Sequence, residues 1–320
     1  MIRKSLKIIG YLLLVLLILF CGLPYLFSVE QRELKADAKP YPNSHFIVVN
    51  KTRIHYRVWL PDTIKQKFFF VHGFSGSTFC WRKNIDTLVK NKCLVVAIDL
   101  PAFGFSDKGD SADYSLTNVF HVINDVSKSF DTRIKGKWNF VGHSMGAAVA
   151  GAYAANFPER IKALTLIDGA PVNTDVTMDY NSVLTKIPPL LRWADVAAKW
   201  MANEKTFKGL VKSGYACEPD TEAVHGYLRP FLYEHSGSAI LRMAAAQDAV
   251  KFDEGNLRKF PVSTIWGDAD TWLPITGMRN FLKKFPMASG YIIKGAGHCS
   301  METHPKEINS VLLKQARLSL

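Results

Sequence analysis

Cysteine is sparse and unpatterned in this chain. Cys21, Cys80, Cys93, Cys217 and Cys299 show no C-x-x-C spacing. That excludes a thiolate metal cluster or a dithiol redox centre as the organising feature, and no metal or organic cofactor is implied. Long runs of one charge are also missing. Lys and Arg outnumber Asp and Glu by 40 to 28, a formal net charge of +12, yet the basic residues are scattered. Such a distribution reads as a solvated basic surface and not as a nucleic-acid track. No internal repeat is present, and no low-complexity segment apart from the N-terminus. Between Ile8 and Phe27 there is no charged residue at all. A run of about 20 apolar residues is the length that crosses a bilayer core as a helix. No small-x-small cleavage site follows it, so it reads as an uncleaved anchor more readily than as a signal peptide. Arg3, Lys4 and Lys7 precede the run. The basic flank stays in the cytoplasm, which places the remainder on the periplasmic, lumenal or extracellular side.

What is present is apolar material in quantity: 320 residues, 48% of them hydrophobic. The expected division is a basic flank over 1–7, a membrane anchor over 8–27, a tether over 28–44, a core over 45–171 and 253–320, and an insert over 172–252. Strands are expected at 46–49, 53–60, 67–71, 93–98, 139–141, 163–167, 262–266 and 291–293. Several are continuous apolar runs, such as Phe68-Phe69-Phe70-Val71, as in a parallel sheet buried on both faces. Helical patterns alternate with them at 77–90, 117–130, 145–156, 275–285 and 305–317, which predicts a doubly wound α/β sheet. From Val172 to Phe252 the alternation stops. The pattern there is helical and rich in aromatics, including Tyr180, Trp193, Trp200, Tyr215 and Tyr227. About 80 residues are too many for a loop, so this segment is expected to form a helical cap over the strand ends.

Gly142-His143-Ser144-Met145-Gly146 stands between a predicted strand and an Ala-rich predicted helix. G-x-S-x-G occurs by chance in many chains, and its context decides. Glycine on both sides of the serine is what a sharp strand-to-helix turn needs, and strand before with helix after is the matching context. A serine hydroxyl scarcely ionises at neutral pH, so Ser144 requires a general base. His298 follows a strand on the Gly295-Ala296-Gly297 loop and is the candidate base. His304 precedes Pro305 and reads as structural. For the acid that orients the imidazole, Asp268 and Asp270 follow one strand and Asp168 another.

Five motifs now stand in order: "VHGFSGS", "DLPAFGFSD", "GHSMG", "WGDADTWLP" and "GAGHCSMETHP". In these the chain, from about residue 45 to 316, resembles the α/β-hydrolase superfamily with a helical cap. The resemblance implies a mostly parallel central sheet flanked by helices, with the cap inserted after the sixth core strand. It implies a catalytic triad of Ser144, Asp270 and His298, Asp270 being favoured because the family pattern is Gly-x-x-Asp counted from Gly267. It further implies an oxyanion hole from the backbone N–H groups of Phe74 and Met145. Structural roles fall to His72, Asp99, Gly104 and Ser106.

The expected function is hydrolysis of carboxylic esters through an acyl-enzyme, on the pattern of membrane-anchored serine esterases and monoacylglycerol lipases. The expected partners are a hydrophobic ester and the membrane, with no nucleic acid. Carbon–carbon bond hydrolysis of the ring-cleavage type is the alternative within catalysis, and peptidase action a third choice. A catalytically silent binding protein of the same fold is the alternative of another class.

Overall fold

The computed structural model describes residues 2–29, 39–131, 134–171, 185–246 and 252–318. Eight strands form one sheet: β1 (Ser44–Val49), β2 (Thr52–Trp59), β3 (Gln66–Val71), β4 (Cys93–Ile98), β5 (Trp138–His143), β6 (Ile161–Ile167), β7 (Val262–Gly267) and β8 (Ser289–Ile293). Their spatial order is β1-β2-β4-β3-β5-β6-β7-β8. The β1–β2 and β2–β4 pairs are antiparallel, and every other pair is parallel. Around the sheet lie α2 (Arg82–Lys90), α3 (Leu116–Lys128), α4 (Met145–Asn156), and four helices that follow β6: α5 (Pro188–Met201), α6 (Glu204–Tyr215), α7 (Thr221–Leu228) and α8 (Ser236–Ala245). Then come α9 (Thr276–Lys284), the short α10 (Ser300–Thr303) and α11 (Pro305–Leu318).

The period of two along a strand splits the sheet's apolar residues between its faces. Phe69 and Val71 of β3 join Leu94, Val96, Phe140 and Leu164 in a core that includes residues of α3 and α4. Phe68 and Phe70 point the other way, into a core with Val95, Val141 and Ile265, residues of α2, and Ile308 and Leu312 of α11. Four adjacent residues with no exposed surface worth counting make β3 the spine of the fold. Full burial of each such side chain contributes about 1.5–3 kcal/mol. The expected helix over 77–90 is broken in two. Ser77 accepts from the backbone N–H of Phe79, a 3-10 turn runs from Thr78 to Trp81, and α2 starts at Arg82.

Topology positions the site. After β3 the chain moves to one side to form β4, and later returns to the other side of β3 as β5. The loops leaving β3 and β5 therefore diverge at the C-terminal edge of the sheet. In open α/β sheets that crevice is where ligands bind.

The described part of the segment between β6 and β7 consists of helices joined by turns and short loops, and Tyr180 falls outside the described residues. Side-chain caps start two of its helices: Asn203 accepts from the Thr206 N–H and Asp220 from the Ala223 N–H. At the N-terminus α1 runs Ile2–Gly22, beginning within the basic flank, and a 3-10 turn continues to Leu26. Lys4–Leu26 is long and apolar enough to cross a membrane, and none of its most apolar stretch is buried against the rest of the chain. Residues 30–38 of the expected tether lie outside the described residues. Its end is seated: Pro40 is buried, and the guanidinium groups of Arg57 and Arg229 lie 4.0 Å and 5.4 Å from the centre of the Tyr41 ring.

Candidate active site

β5 ends at His143, and Ser144 stands at φ +52° and ψ −122° before α4 begins at Met145. A non-glycine residue at such angles costs of order 1–3 kcal/mol and persists only where its surroundings impose it. Here they do. The Ser144 N–H donates to the Ile167 carbonyl at 2.9 Å, and its own carbonyl accepts from the Ala147 N–H at 2.8 Å. The flanking glycines permit the turn. A Cβ on Gly142 would stand 2.2 Å from the Gly146 carbonyl oxygen, and one on Gly146 would stand 2.3 Å from that of Val71. The turn thus lifts the Ser144 side chain above the sheet, with the N–H of Met145 in the first turn of α4, where helical amides lack a partner in the helix.

His298 lies between β8 and α10 and is 4% exposed. Its Nε2 is 2.8 Å from Ser144 Oγ and its Nδ1 is 2.8 Å from Asp270 Oδ2. A carboxylate can only accept, so Nδ1 carries the proton and donates to Asp270. That leaves Nε2 bare, to accept from the serine hydroxyl. The other carboxylate oxygen, Asp270 Oδ1, accepts the backbone N–H groups of Trp272 at 2.8 Å and Leu273 at 2.9 Å. Those two bonds fix the plane of the carboxylate toward the imidazole.

The structure separates the three aspartates. Asp268 is exposed, and it accepts from the Gly295 N–H at 2.6 Å, closing the turn after β8. Asp168 is fully buried at the end of β6 and accepts from the Gly267 N–H at 2.8 Å and the Ser300 hydroxyl at 2.6 Å. Burial pushes its carboxyl up to about 7, against the pull of those donors. Asp168 braces the loops that carry Asp270 and His298 and makes no bond to the imidazole.

Gly73 passes so near the serine that a Cβ on it would stand 2.9 Å from Ser144 Cβ. Phe74 follows at the rim, with its ring 52% exposed and set edge-on to Phe103. His72 is fully buried; its Nδ1–H donates to the Gly73 carbonyl at 2.7 Å and its Nε2 accepts from the Leu100 N–H at 2.9 Å. Both ring nitrogens are spent on the backbone. Asp99 accepts from His55 Nδ1 and from the N–H groups of Thr78 and Phe105. Burial would raise its carboxyl, but His55, then His72 and the Phe105 N–H, hold it down to about 2. Ser106 donates to the Asp99 carbonyl, and Gly104, at φ +55°, leaves room that a Cβ would take from the Asp99 carboxylate. His304 bonds Thr303, away from the serine.

The geometry can be set beside known proteins. Residues 67–214 match the family model described as alpha/beta hydrolase fold. This chain is an α/β-hydrolase-fold protein. Among curated relatives, the uncharacterized hydrolase YugF of Bacillus subtilis (strain 168) is 26% identical over 250 residues, covering 77% of this chain and 88% of that one. The 2-hydroxy-6-oxo-6-(2'-aminophenyl)hexa-2,4-dienoic acid hydrolase of Metapseudomonas resinovorans is 25% identical over 256 residues, covering 78% and 83%. Monoacylglycerol lipase ABHD6 of Bos taurus is 23% identical over 268 residues, covering 78% and 74%. Among solved structures, a serine hydrolase involved in carbazole degradation (the CarC enzyme) superposes with a TM-score of 0.67 at 20% identity, covering 86% of this chain and 98% of that one.

Several residues of the hydrolase site escaped the sequence reading. His143 is buried, and its Nε2–H donates to the His298 carbonyl at 2.7 Å. Burial, and then His298 nearby, push the His143 imidazole down to about 3, so it stays neutral while it holds the backbone at His298. It occupies the first variable position of G-x-S-x-G, a place in the motif that carries no chemical signal. Trp272 sets its ring 5.1 Å from His298 and donates through Nε1 to Ser213 Oγ on α6. Glu302 is buried four residues beyond the base. It accepts from Tyr215 of α6 and Tyr227 of α7, and pairs with Arg82 of α2. Burial raises its carboxyl above the usual range despite the guanidinium. These contacts join α6 and α7 to the loops that carry His298 and Asp270. Only the tertiary fold brings them together, and nothing in their spacing announces it.

Proposed function

We infer that this hydrolase cleaves carboxylic esters of hydrophobic acyl chains through an acyl-enzyme formed on Ser144. The observation that carries the reading is the continuous hydrogen-bonded line from Ser144 Oγ through His298 to Asp270, at 2.8 Å in both links. As Oγ attacks the ester carbonyl carbon, its proton passes to His298 Nε2. Asp270 holds the tautomer and stabilises the imidazolium. The carbonyl oxygen becomes an oxyanion, received by the N–H groups of Met145 and Phe74. Collapse expels the alcohol, which takes the proton from Nε2. Water then repeats the sequence on the acyl-enzyme and releases the acid, restoring Ser144.

The ester reading draws on the apolar helix Lys4–Leu26, taken as an anchor that leaves the catalytic domain on the non-cytoplasmic side, and on the likeness to a monoacylglycerol lipase. The likeness to the Metapseudomonas enzyme supports the second reading, carbon–carbon bond hydrolysis by the same three residues. Rates on a chain-length series of aryl esters and monoacylglycerols, against a ring-cleavage dienoic acid, separate the two. Ester turnover rising with acyl length is the expected result, and turnover of the dienoic acid alone would reverse the assignment. A fluorophosphonate probe should label Ser144. A folded chain that neither labels nor turns over ester would be a binding protein.

A further inference from the structure

The end of the apolar N-terminal helix does not trail away from the folded domain; it is seated on the first cap helix. The last turn of a helix leaves carbonyl groups without a partner in the helix and carries partial negative charge. Here α5 supplies the donors. Trp193 Nε1 donates to the Phe20 carbonyl at 3.0 Å. Arg192 donates to the carbonyls of Pro24 at 3.3 Å and Phe27 at 2.9 Å, and Lys199 to that of Ser28 at 2.8 Å. The Phe27 ring lies 5.2 Å from that of Trp200, edge-on. If α1 spans a bilayer, α5 must lie within about one helix diameter, roughly 10 Å, of its surface.

The composition of the face presented there fits that place. Trp200 and Met201, at the end of α5, are each 58% exposed, and Leu26 beside them is 80% exposed. Lys186, before α5, and Lys205, just after it, are exposed too. An indole and apolar side chains, on a helix with a lysine before it and another after it, suit the boundary between headgroups and acyl chains, where the aromatic body is apolar and the ammonium groups meet phosphate.

We propose that the outer face of α5 with the α5–α6 turn is a membrane-docking surface, whose occupant is the headgroup layer of the bilayer that the N-terminal helix crosses. The surface holds the cap, and with it the way to Ser144, against the lipid that supplies the ester. This rests on α1 being a spanning anchor.

Test it with the full chain reconstituted in vesicles of phosphatidylcholine with a minor fraction of phosphatidylglycerol. Resistance to alkaline carbonate reads the anchor. Tryptophan quenching by lipids brominated high in the acyl chain reads the surface. Retention in the membrane is expected, with quenching that falls by more than half in Trp200→Phe. Extraction by carbonate would overturn the anchor and the surface together. Retention with equal quenching in parent and Trp200→Phe would overturn the surface and leave the anchor standing. A second arm compares Trp200→Glu/Met201→Glu with the parent. It should lose on the order of tenfold in rate on vesicle-borne monoacylglycerol and nothing on a short soluble ester. Equal rates on both substrates would also overturn the proposal. Should the double variant misfold, which loss of the soluble-ester rate would reveal, the quenching comparison decides, because it alters a single exposed ring.

Discussion

Beneath Ser144 the hydrolase is held by backbone pairing, β3 to β5 and β5 to β6 in parallel register. The helical segment between β6 and β7 is tied to the loops of Asp270 and His298 largely by side chains: Trp272 to Ser213, and Glu302 to Tyr215 and Tyr227. One backbone bond crosses the same seam, from the Cys299 N–H to the Gly214 carbonyl at 3.1 Å. Substitution of a side chain leaves backbone pairing intact, so the placement of the serine turn should survive most mutations beside it. The seam should tolerate less, because all but one of these ties is a single side chain that a mutation can delete. This fold therefore separates two tolerances: the floor, held by backbone pairing, fixes where Ser144 stands, and the roof, held by single side chains, fixes how the loops of His298 and Asp270 meet the helices that follow β6.

The largest effect should come from the floor, without loss of fold. Ser144→Ala and His298→Ala should each lower ester turnover by about four to six orders of magnitude, and the double variant should be hardly worse than either, since the two groups act as a unit. Circular dichroism and the unfolding midpoint should stay near those of the parent. Substantial turnover by a folded Ser144→Ala chain would break the comparison at its root.

The acids sharpen it next. Asp270→Asn should cost about three to four orders of magnitude in turnover, because the amide cannot hold the imidazole tautomer. Asp168→Asn should cost far less turnover but about 1–3 kcal/mol of stability, because it places an amide against the Ser300 donors. Urea unfolding beside ester kinetics on both variants separates the roles; a turnover loss larger in Asp168→Asn would move the acid to the end of β6.

These residues show what could be read in advance. The strands were legible because a sheet buried on both faces leaves continuous apolar runs, as in Phe68–Val71. The serine turn was legible because two glycines are sterically required there. Which aspartate faces His298 was not legible from spacing. Asp268 and Asp270 lie two apart after one strand, and only the closure of the turn by the Gly295 N–H shows that Asp268 is occupied elsewhere. His143, Trp272 and Glu302 were illegible for a broader reason. Each acts through a partner distant in sequence, and an isolated histidine, tryptophan or glutamate carries no periodicity to betray it. The break at Trp81 was hidden because no glycine or proline stands between Thr78 and Arg82 to announce it.

At the roof, Glu302→Ala should destabilise the hydrolase by about 3–5 kcal/mol, the cost of breaking its buried pair with Arg82, whose guanidinium would keep only the exposed Glu222 as a carboxylate partner. Glu302→Gln should cost less, because it keeps an acceptor for one of the tyrosines. Neither touches the serine, so turnover per folded molecule on a short ester should fall much less than in Asp270→Asn. Denaturant midpoints give the first quantity and fluorophosphonate active-site titration the second. A stable Glu302→Ala chain would mean that the seam is held by packing, the Trp272–Ser213 bond and the Cys299–Gly214 backbone bond without help from Glu302.

The smallest effect is a pH dependence in which floor and brace oppose each other. His143, held at about 3 in the fold, has an ordinary value of 6.5. Between those values the unfolded chain binds the extra proton, so this stabilising contribution is lost as pH falls from 6.5 toward 3. His72, also pushed down by burial, has the same sign. Asp168 is opposite: raised from 3.8 to about 7, it takes up a proton in the fold first, so its contribution is present below 3.8 and lost as pH rises through 7. Glu302, raised by burial, shares that sign. In the window from about 4 to 6.5 the two buried groups nearest the base partly cancel. Asp168→Asn removes one side of the balance and leaves His143 uncompensated. Its stability should then fall with acidification more steeply than the parent's, by up to about 1.4 kcal/mol for each pH unit. Urea unfolding of both chains at about pH 4.5 and pH 6.5 measures the difference of slopes directly. Parallel slopes would mean that Asp168 is already ionised in the fold across this window, with the Ser300 hydroxyl and the Gly267 N–H sufficient to offset its burial.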